Sequence, residues 1–411
     1  MIYVYDPSPY VNDYVPQVYF QPLAKRFSNQ IKTTDTLDLR NSTVVTIGQR
    51  LTSEIIDQLK NNGNKIVSFD INDASPPTYT YVDGAFGNVD LIFKVGGIQV
   101  SRYTNSLMIS NDMEFSVGPV PFLSDANWEI YHRMRQEGRL LSLPYVAWFP
   151  WGFDASPGFD ERKKLVLVRG GNHFQRYIMF LNMLKRGLVD TNSGFFAREY
   201  AHSFCEECRR ILKGTGKYTW DLYWDRLHNC TSTVKWAFPS EMEPNFFESG
   251  RRGQWHNKCI PMFLWLSNHF DQKAGPIDKG IVETVLNAPF DSGSKYSKII
   301  TQYMFYADYK WKFSINLPPR FWEAVQAGTI NFLPRRTNDQ EYFPETRDGE
   351  HYLTFADDFS DISDVVNFFT KERYDHIRNS AMNTFNHWIK RGPTHTNDNL
   401  LDYIMERINA I

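Results

Sequence analysis

Cysteine, long apolar runs and a charge imbalance are what this sequence has least of. Four cysteines in 411 residues, Cys205, Cys208, Cys230 and Cys259, are too few for a disulfide framework, and reduced thiols are expected. Cys205-Glu-Glu-Cys208 has zinc-ligand spacing, with His202, His228 and His256 not far away. It falls inside the helical pattern Tyr200, Phe204, Cys208, Ile211, and no second close pair follows, so no metal site is expected there. No apolar stretch approaches the roughly 18–20 residues of a membrane span. Met1 leads straight into a strand-like segment rather than a charged and then apolar leader, so a cytoplasmic protein is expected, a virus-encoded one in a host cytoplasm included. Net charge is −2, with 45 Lys and Arg against 47 Asp and Glu, which advertises no phosphate-backbone footprint. Lys25, Arg26, Arg102, Arg133 and Arg135 are too scattered to write a basic face, and nucleic acid is not the expected partner.

What is abundant is ring surface: 31 Phe, 22 Tyr and 11 Trp, 16% of the chain. Core packing explains most of it, and clefts that hold sugars against ring faces use the same residues. The length suits two or three domains with real cores.

Residues 1–155 read as strands alternating with helices. Ile2–Tyr5 is a β run broken by Asp6-Pro7-Ser8-Pro9. Asn41–Gly48, Lys65–Phe69 and Val89–Val95 are further strands, and Ile55, Ile56 and Leu59 mark a helix over Thr52–Lys60. Short apolar strands separated by helices imply a mostly parallel sheet. Tyr145–Pro150 closes this half, and Gly152 to Gly158 is the linker candidate. A second unit over 160–390 opens with the strand Lys164–Val168, then Arg169-Gly170-Gly171-Asn172, then a helix with Phe174, Ile178, Leu181 and Leu184 on one face. Strand, paired glycines, polar cap and helix make a phosphate cradle, with Arg169, His173 and Arg176 flanking it. An ordinary βα turn with solvated basic residues has the same appearance. Residues 214–260 show no clear periodicity. Segments 279–286 and 298–306 read as further elements of the second unit. Helices follow over Asp361–Phe369 and Arg373–Ile389, a break comes at 391–396, and a last helix carries Leu400, Leu401, Ile404 and Ile408.

The most informative stretch is Lys310–Pro334, read as strand, turn, short helix and strand. Pro318 and Pro319 suit a helix start, Gly328 a helix stop, and Thr329–Leu333 is β-prone. Arg320 in the first turn opposes the helix dipole by a few tenths of a kcal/mol. Either it pairs with Glu323 on the surface, or an anion sits at this helix start, held by free N–H groups and the guanidinium. In the second case Glu323 is placed to accept hydrogen bonds from two ribose hydroxyls.

Ser314…Arg320-x-x-Glu323-Ala324-x-x-x-Gly328-x-Ile330 resembles the nucleotide-sugar motif near the end of GT-B glycosyltransferases, and looks most like the exostosin-type and group 1 (CgeB-like) enzymes. The likeness continues through Tyr342 to about Ile389, and elsewhere covers only the order of elements. It implies an α/β fold of two Rossmann-like domains facing a cleft. It further implies an N-terminal acceptor domain (1–155), a donor domain (160–390) and a terminal helix (391–411) packing back on the first domain. The implied activity is hexosyl or pentosyl transfer from a UDP- or GDP-sugar to an acceptor hydroxyl, a glycan being the expected acceptor, with no metal or other cofactor. The implied donor contacts are Arg169, Gly170, Gly171, His173, Arg176, Ser314, Asn316, Arg320 and Glu323. Asp6, Asp70 and Asp73, each where a strand of the first half ends, are the candidate general bases. Ile315 stands where many retaining enzymes have a second Glu, which favours an inverting site. Golgi exostosin-type enzymes also carry a membrane anchor not seen in this sequence. Three rival readings stay open: a metal-dependent GT-A transferase using Asp70 and Asp73, a DNA-base glycosyltransferase, and a non-catalytic nucleotide- or glycan-binding protein.

Overall fold

The computed structural model describes residues 1–5, 14–71, 85–100, 106–110, 113–116, 125–146, 157–168, 179, 182–184, 186–190, 299–307, 317–356, 359–391 and 396–411. Two parallel sheets organise them. In the first half the strands are β1 (Ile2–Tyr5), β2 (Ile31–Thr34), β3 (Thr43–Ile47), β4 (Lys65–Asp70), β5 (Leu91–Val95) and, after the two-residue β6 (Ile98–Gln99) and the hairpin β7 (Ser106–Ser110) and β8 (Met113–Ser116), β9 (Leu140–Leu143). Their order is β2-β1-β3-β4-β5-β9, every neighbouring pair parallel. The inner strands read as near-continuous apolar runs because both faces are covered. Val44, Ile66 and Ile92 turn to one side with Leu59 and Tyr131. Val45, Val67, Phe69 and Phe93 turn to the other.

The covering helices are α1 (Gln21–Arg26), α2 (Ser53–Asn61) and α3 (Asp125–Gln136). Helix α2 is written by its ends: Thr52 accepts the Ile55 N–H, Glu54 sits in the first turn, and Gly63 follows at φ +72°, a left-handed stop that glycine adopts without strain. The expected strands Asn41–Gly48, Lys65–Phe69 and Val89–Val95 correspond to β3, β4 and β5. Strand β2 went unread because Ile-Lys-Thr-Thr at a sheet edge buries only Ile31. Strand β9 stops at Leu143, since Pro144 cannot extend a ladder, and of the expected segment Tyr145–Pro150 the residues after Val146 lie outside the described ones.

The second sheet runs β10 (Lys163–Val168), β11 (Tyr303–Ala307), β12 (Ile330–Pro334) and, after the short β13 (Gln340–Glu341), β14 (Leu353–Phe355), all four in that order and parallel. Helix α4 (Pro319–Gln326) connects β11 to β12. Its Ala324 and the C-cap Ala327 that follows it lie against Leu167, Tyr303 and Tyr306 of this sheet, small residues where helix and sheet approach closely. Its Phe321, Trp322 and Val325 point elsewhere, into a cluster shared with Val67, Phe93 and Leu143 of the first half.

Three more helices complete the described chain: α5 (Ile362–Asn367), α6 (Lys371–Thr384), which runs on through one wider turn over Phe385–Ile389, and α7 (Asp398–Asn409). Helix α7 crosses back to the first half, as expected of the terminal helix. Asn397 caps it by accepting the Asn399 and Leu400 N–H groups. Its buried Leu400, Leu401, Ile404, Met405 and Ile408 join Ile2, Val4 and Val45 in one core, each burial contributing roughly 1.5–3 kcal/mol. Arg26 of α1 grips it from the side, donating from Nε to Asp402 Oδ1 at 2.8 Å and from Nη2 to Oδ2 at 2.7 Å, with Asp398 3.1 Å from Nη1.

A second seam ties the halves together. Strand β13 pairs antiparallel with β6, Arg135 of α3 forms a two-pronged pair with Glu341, and the Phe343 N–H donates to Ser142 Oγ at 3.2 Å. The ring of Tyr342 lies so close to Gly97 that a Cβ there would stand 2.6 Å from Tyr342 Cε1. Two-residue strands carry no periodicity, so this junction left no trace in the sequence pattern. Among the described residues no helix is long and apolar enough to cross a membrane.

Candidate functional site at the carboxyl edges of the two sheets

Ligands of parallel sheets bind beyond the carboxyl ends of the strands. In the second half Val168 is in register with Ala307, and Ala307 with Phe332, so β10, β11 and β12 end at one edge. Helix α4 begins on the same side, because it must run the length of the sheet to reach the start of β12. Pro318 stands at its N-cap in an extended conformation and Pro319 takes the first helical position, where a missing N–H costs nothing. Arg320 in the first turn is half-buried, and Glu323, one turn on, is 8% exposed. Glu323 is therefore no ordinary surface residue: its carboxylate is largely buried, one turn into the helix.

The other end of α4 is fixed by a buried arginine. Arg162, 6% exposed, donates from Nη2 to the Ala327 carbonyl at 2.6 Å, from Nη1 to the Tyr303 carbonyl at 3.0 Å and Thr329 Oγ1 at 2.9 Å, and from Nε to the Pro157 carbonyl at 3.1 Å. The Ala327 contact places a cation on the negative end of the helix dipole. Gly328 turns the chain at φ +68°, and its carbonyl accepts the Tyr374 hydroxyl at 2.9 Å. The Arg162 guanidinium also lies 5.8 Å from the centre of the Tyr374 ring. Burial pulls the Arg162 pKa below its usual value, yet a guanidinium keeps its charge. In this way α4 is held at its C-terminus while its N-terminus lies on the side of the sheet where β10, β11 and β12 end.

In the first half, Asp70 ends β4 and is 2% exposed, and Lys94, in register with it on β5, is 0% exposed. Lys94 Nζ stands 3.9 Å from Asp70 Oδ1 and donates to the Val95 carbonyl at 3.1 Å. Ser142 of β9 is in register with Lys94, so Asp70, Lys94 and Ser142 form a polar row across the carboxyl ends of three strands. Two residues back, Ser68 pairs with Thr46, both 0% exposed. The strand order reverses between β1 and β3, the point at which doubly wound sheets open a crevice. There Thr46 Oγ1 donates to the Tyr5 carbonyl at 3.1 Å. Lys94 was missed on reading the sequence, although Leu-Ile-Phe-Lys-Val is itself a signal: a lysine inside a fully apolar strand must find a partner.

Of the residues singled out in the sequence, the described structure therefore places Asp70, Arg320 and Glu323. Asp6, Asp73, Arg169, Gly170, Gly171, His173, Arg176, Ser314, Asn316, the Cys205/Cys208 pair and residues 214–260 lie outside the described residues.

No protein-family model matches the chain, and no curated protein does. Among solved structures, the chain is similar to the crystal structure of Anabaena HepE in complex with UDP and glucose, at 6% sequence identity, with 100% of this chain and 99% of that chain covered and a TM-score of 0.38.

Proposed function

We propose that this protein is a glycosyltransferase of the GT-B type, moving a sugar from a nucleoside diphosphate sugar to an acceptor hydroxyl. The observation that carries the reading is the β11-α4-β12 unit. It presents Arg320 and a buried Glu323 at a helix start on the carboxyl edge of a parallel sheet, beside the strand that leads into Gly170-Gly171. Glu323 accepts hydrogen bonds from the ribose hydroxyls. Arg320 and the first-turn amides, with Arg169, His173, Arg176 and the glycine pair, take up the charge that grows on the departing diphosphate. Ser314 and Asn316 line the same pocket, and no metal is required for the step.

In the reaction the acceptor oxygen forms a bond to the sugar C1 as the C1–O bond to the diphosphate breaks. The electron pair leaves with the nucleoside diphosphate, and the acceptor proton passes to a carboxylate of the first half. Asp70 is buried against Lys94, so we assign it the work of fixing the start of the loop that carries Asp73. Asp6 and Asp73, after β1 and after β4, are the groups assigned to the proton. The acceptor, a glycan hydroxyl, lies on the first half.

The test is a thermal-shift screen of UDP-, GDP-, TDP- and CMP-sugars with and without EDTA, followed by assay of donor hydrolysis and transfer. Stabilisation by one nucleotide series, unchanged by EDTA and lost in Glu323→Ala, is expected. Absence of a shift with every donor would overturn the proposal, and a shift abolished by EDTA would overturn its metal-free form.

A further inference from the structure

The seam between the halves encloses a pocket of about 550 Å³, within the roughly 300–1,000 Å³ range of small-molecule sites. It opens alongside edge strand β9 and is distinct from the start of α4. We infer that this pocket binds a neutral, hydroxyl-rich ligand of the size of a mono- or disaccharide, whether or not the donor reading above holds.

One wall is the open side of β9. The Arg139 and Leu143 carbonyls accept N–H groups from β5, so by the alternation of main-chain direction Leu140 and Ser142 turn their N–H and C=O groups away from the sheet. Leu140, Leu141 and Ser142 all line the pocket. The lining also includes rings: Tyr342, Phe343 and Tyr403, the last two stacked with centroids 4.0 Å apart and planes 10° apart. Gly97 is what lets the Tyr342 ring take its place. Asn338, Gln340 and Thr346 add polar side chains to the lining. Thr346 is 7% exposed, and its Oγ1 has no hydrogen-bond partner among the described residues.

The charges decide the ligand class. Glu341 is held by Arg135, Glu345 by Arg347, and Asp348 accepts from both the N–H and the hydroxyl of Thr354. Among the described residues the lining holds one cation, Arg347, against the carboxylates of Glu341, Glu345 and Asp348, and that cation is already paired with Glu345, which disfavours a phosphate or other anion. Ring faces for C–H surfaces, with amides, carboxylate oxygens and main-chain groups for hydroxyls, suit a polyol. An extended peptide fits less well, because β9 offers only two outward residues and the Phe343 N–H already reaches across to Ser142 Oγ.

The experiment is saturation-transfer NMR on the full chain with glucose, galactose, mannose, maltose and lactose, and with choline and phosphate as charged probes. Titrations follow in Glu345→Ala, whose side chain is largely exposed, and in Asn338→Ala. At least one sugar is expected to bind, weakened about fivefold or more by each substitution, the size of one lost hydrogen bond. Binding should be unchanged in Arg320→Ala, which separates this pocket from the donor site. Binding by none of the sugars, binding indifferent to both substitutions, or preference for choline or phosphate would overturn the inference.

Discussion

Replacing Arg162 with methionine tests how α4 is held. Among the described residues the guanidinium makes four hydrogen bonds, to the Pro157, Tyr303 and Ala327 carbonyls and to Thr329 Oγ1. At about 1.5–3 kcal/mol for each bond to a charged donor, the sum is an upper bound of roughly 6–12 kcal/mol. One of the four is the most easily replaced, since Pro157 is only half-buried. The Thr329 hydroxyl spends its hydrogen on the Ile300 carbonyl at 2.7 Å and does not substitute at Tyr303. The Tyr303 and Ala327 carbonyls and the Thr329 oxygen lose this donor inside the protein, at about 1–3 kcal/mol each, so the expected loss is about 3–9 kcal/mol, slightly reduced by the apolar contacts of the methionine. Arg162→Lys should recover little, since one ammonium cannot span acceptors arranged for a planar fork. Urea unfolding followed by tryptophan fluorescence measures the loss, and donor affinity in the folded fraction reports whether the helix start has moved with its end. A change below about 1 kcal/mol would mean that these contacts are exchangeable with water and that α4 is anchored by packing alone.

Arg320→Ala and Glu323→Ala should each weaken nucleotide-sugar binding by about 1–3 kcal/mol, read by calorimetry with thermal unfolding as a check on folding; unchanged affinity in folded variants counts against the donor assignment. Lys94→Met should cost about 3–5 kcal/mol by leaving the Asp70 carboxylate buried beside an apolar chain, and adding Asp70→Asn should recover part of it; a tolerated single change would mean the pair is not what holds the β4 end. His351, 9% exposed, accepts the Arg347 N–H at Nδ1 and faces Thr384 Oγ1 through Nε2, so its proton is on Nε2 and the ring is neutral. Burial lowers its pKa against the opposing pull of Glu350. Its contribution to stability is then fully present above the unfolded value of about 6.5 and falls as pH drops from there towards the folded value, by up to about 1.4 kcal/mol per pH unit. Denaturation curves between pH 5 and 8 should show that slope in the parent and a flatter one in His351→Gln; equal slopes would refute it.

How much of this was legible depends on where each signal resides. Strands β3, β4, β5 and β10 carry their burial in their own composition, and α4 is bounded by Pro318, Pro319 and Gly328, residues whose backbone chemistry fixes a start and a stop. Helix α7 was legible as an apolar stripe, whereas its return to the first half was implied only by the family resemblance. What could not be read are features made by pairs distant along the chain: Lys94 beneath Asp70, Arg162 at the end of α4, and the β6–β13 junction. Each depends on register or on docking, and neither is written in a window of ten residues. Glu323 is a middle case, since the sequence placed it on a helix start but only packing shows it buried.

The docking of α7 bears on the order in which the molecule can be made. The sheet face under Ile2, Val4 and Val45 is completed by Leu400, Leu401, Ile404, Met405 and Ile408, a helix synthesised long after the strands it covers. Until it emerges those strands keep a greasy flank uncovered, so the nascent chain has reason to engage chaperones during that interval. A version cut before Asn397 should accumulate in inclusion bodies rather than as a stable fragment.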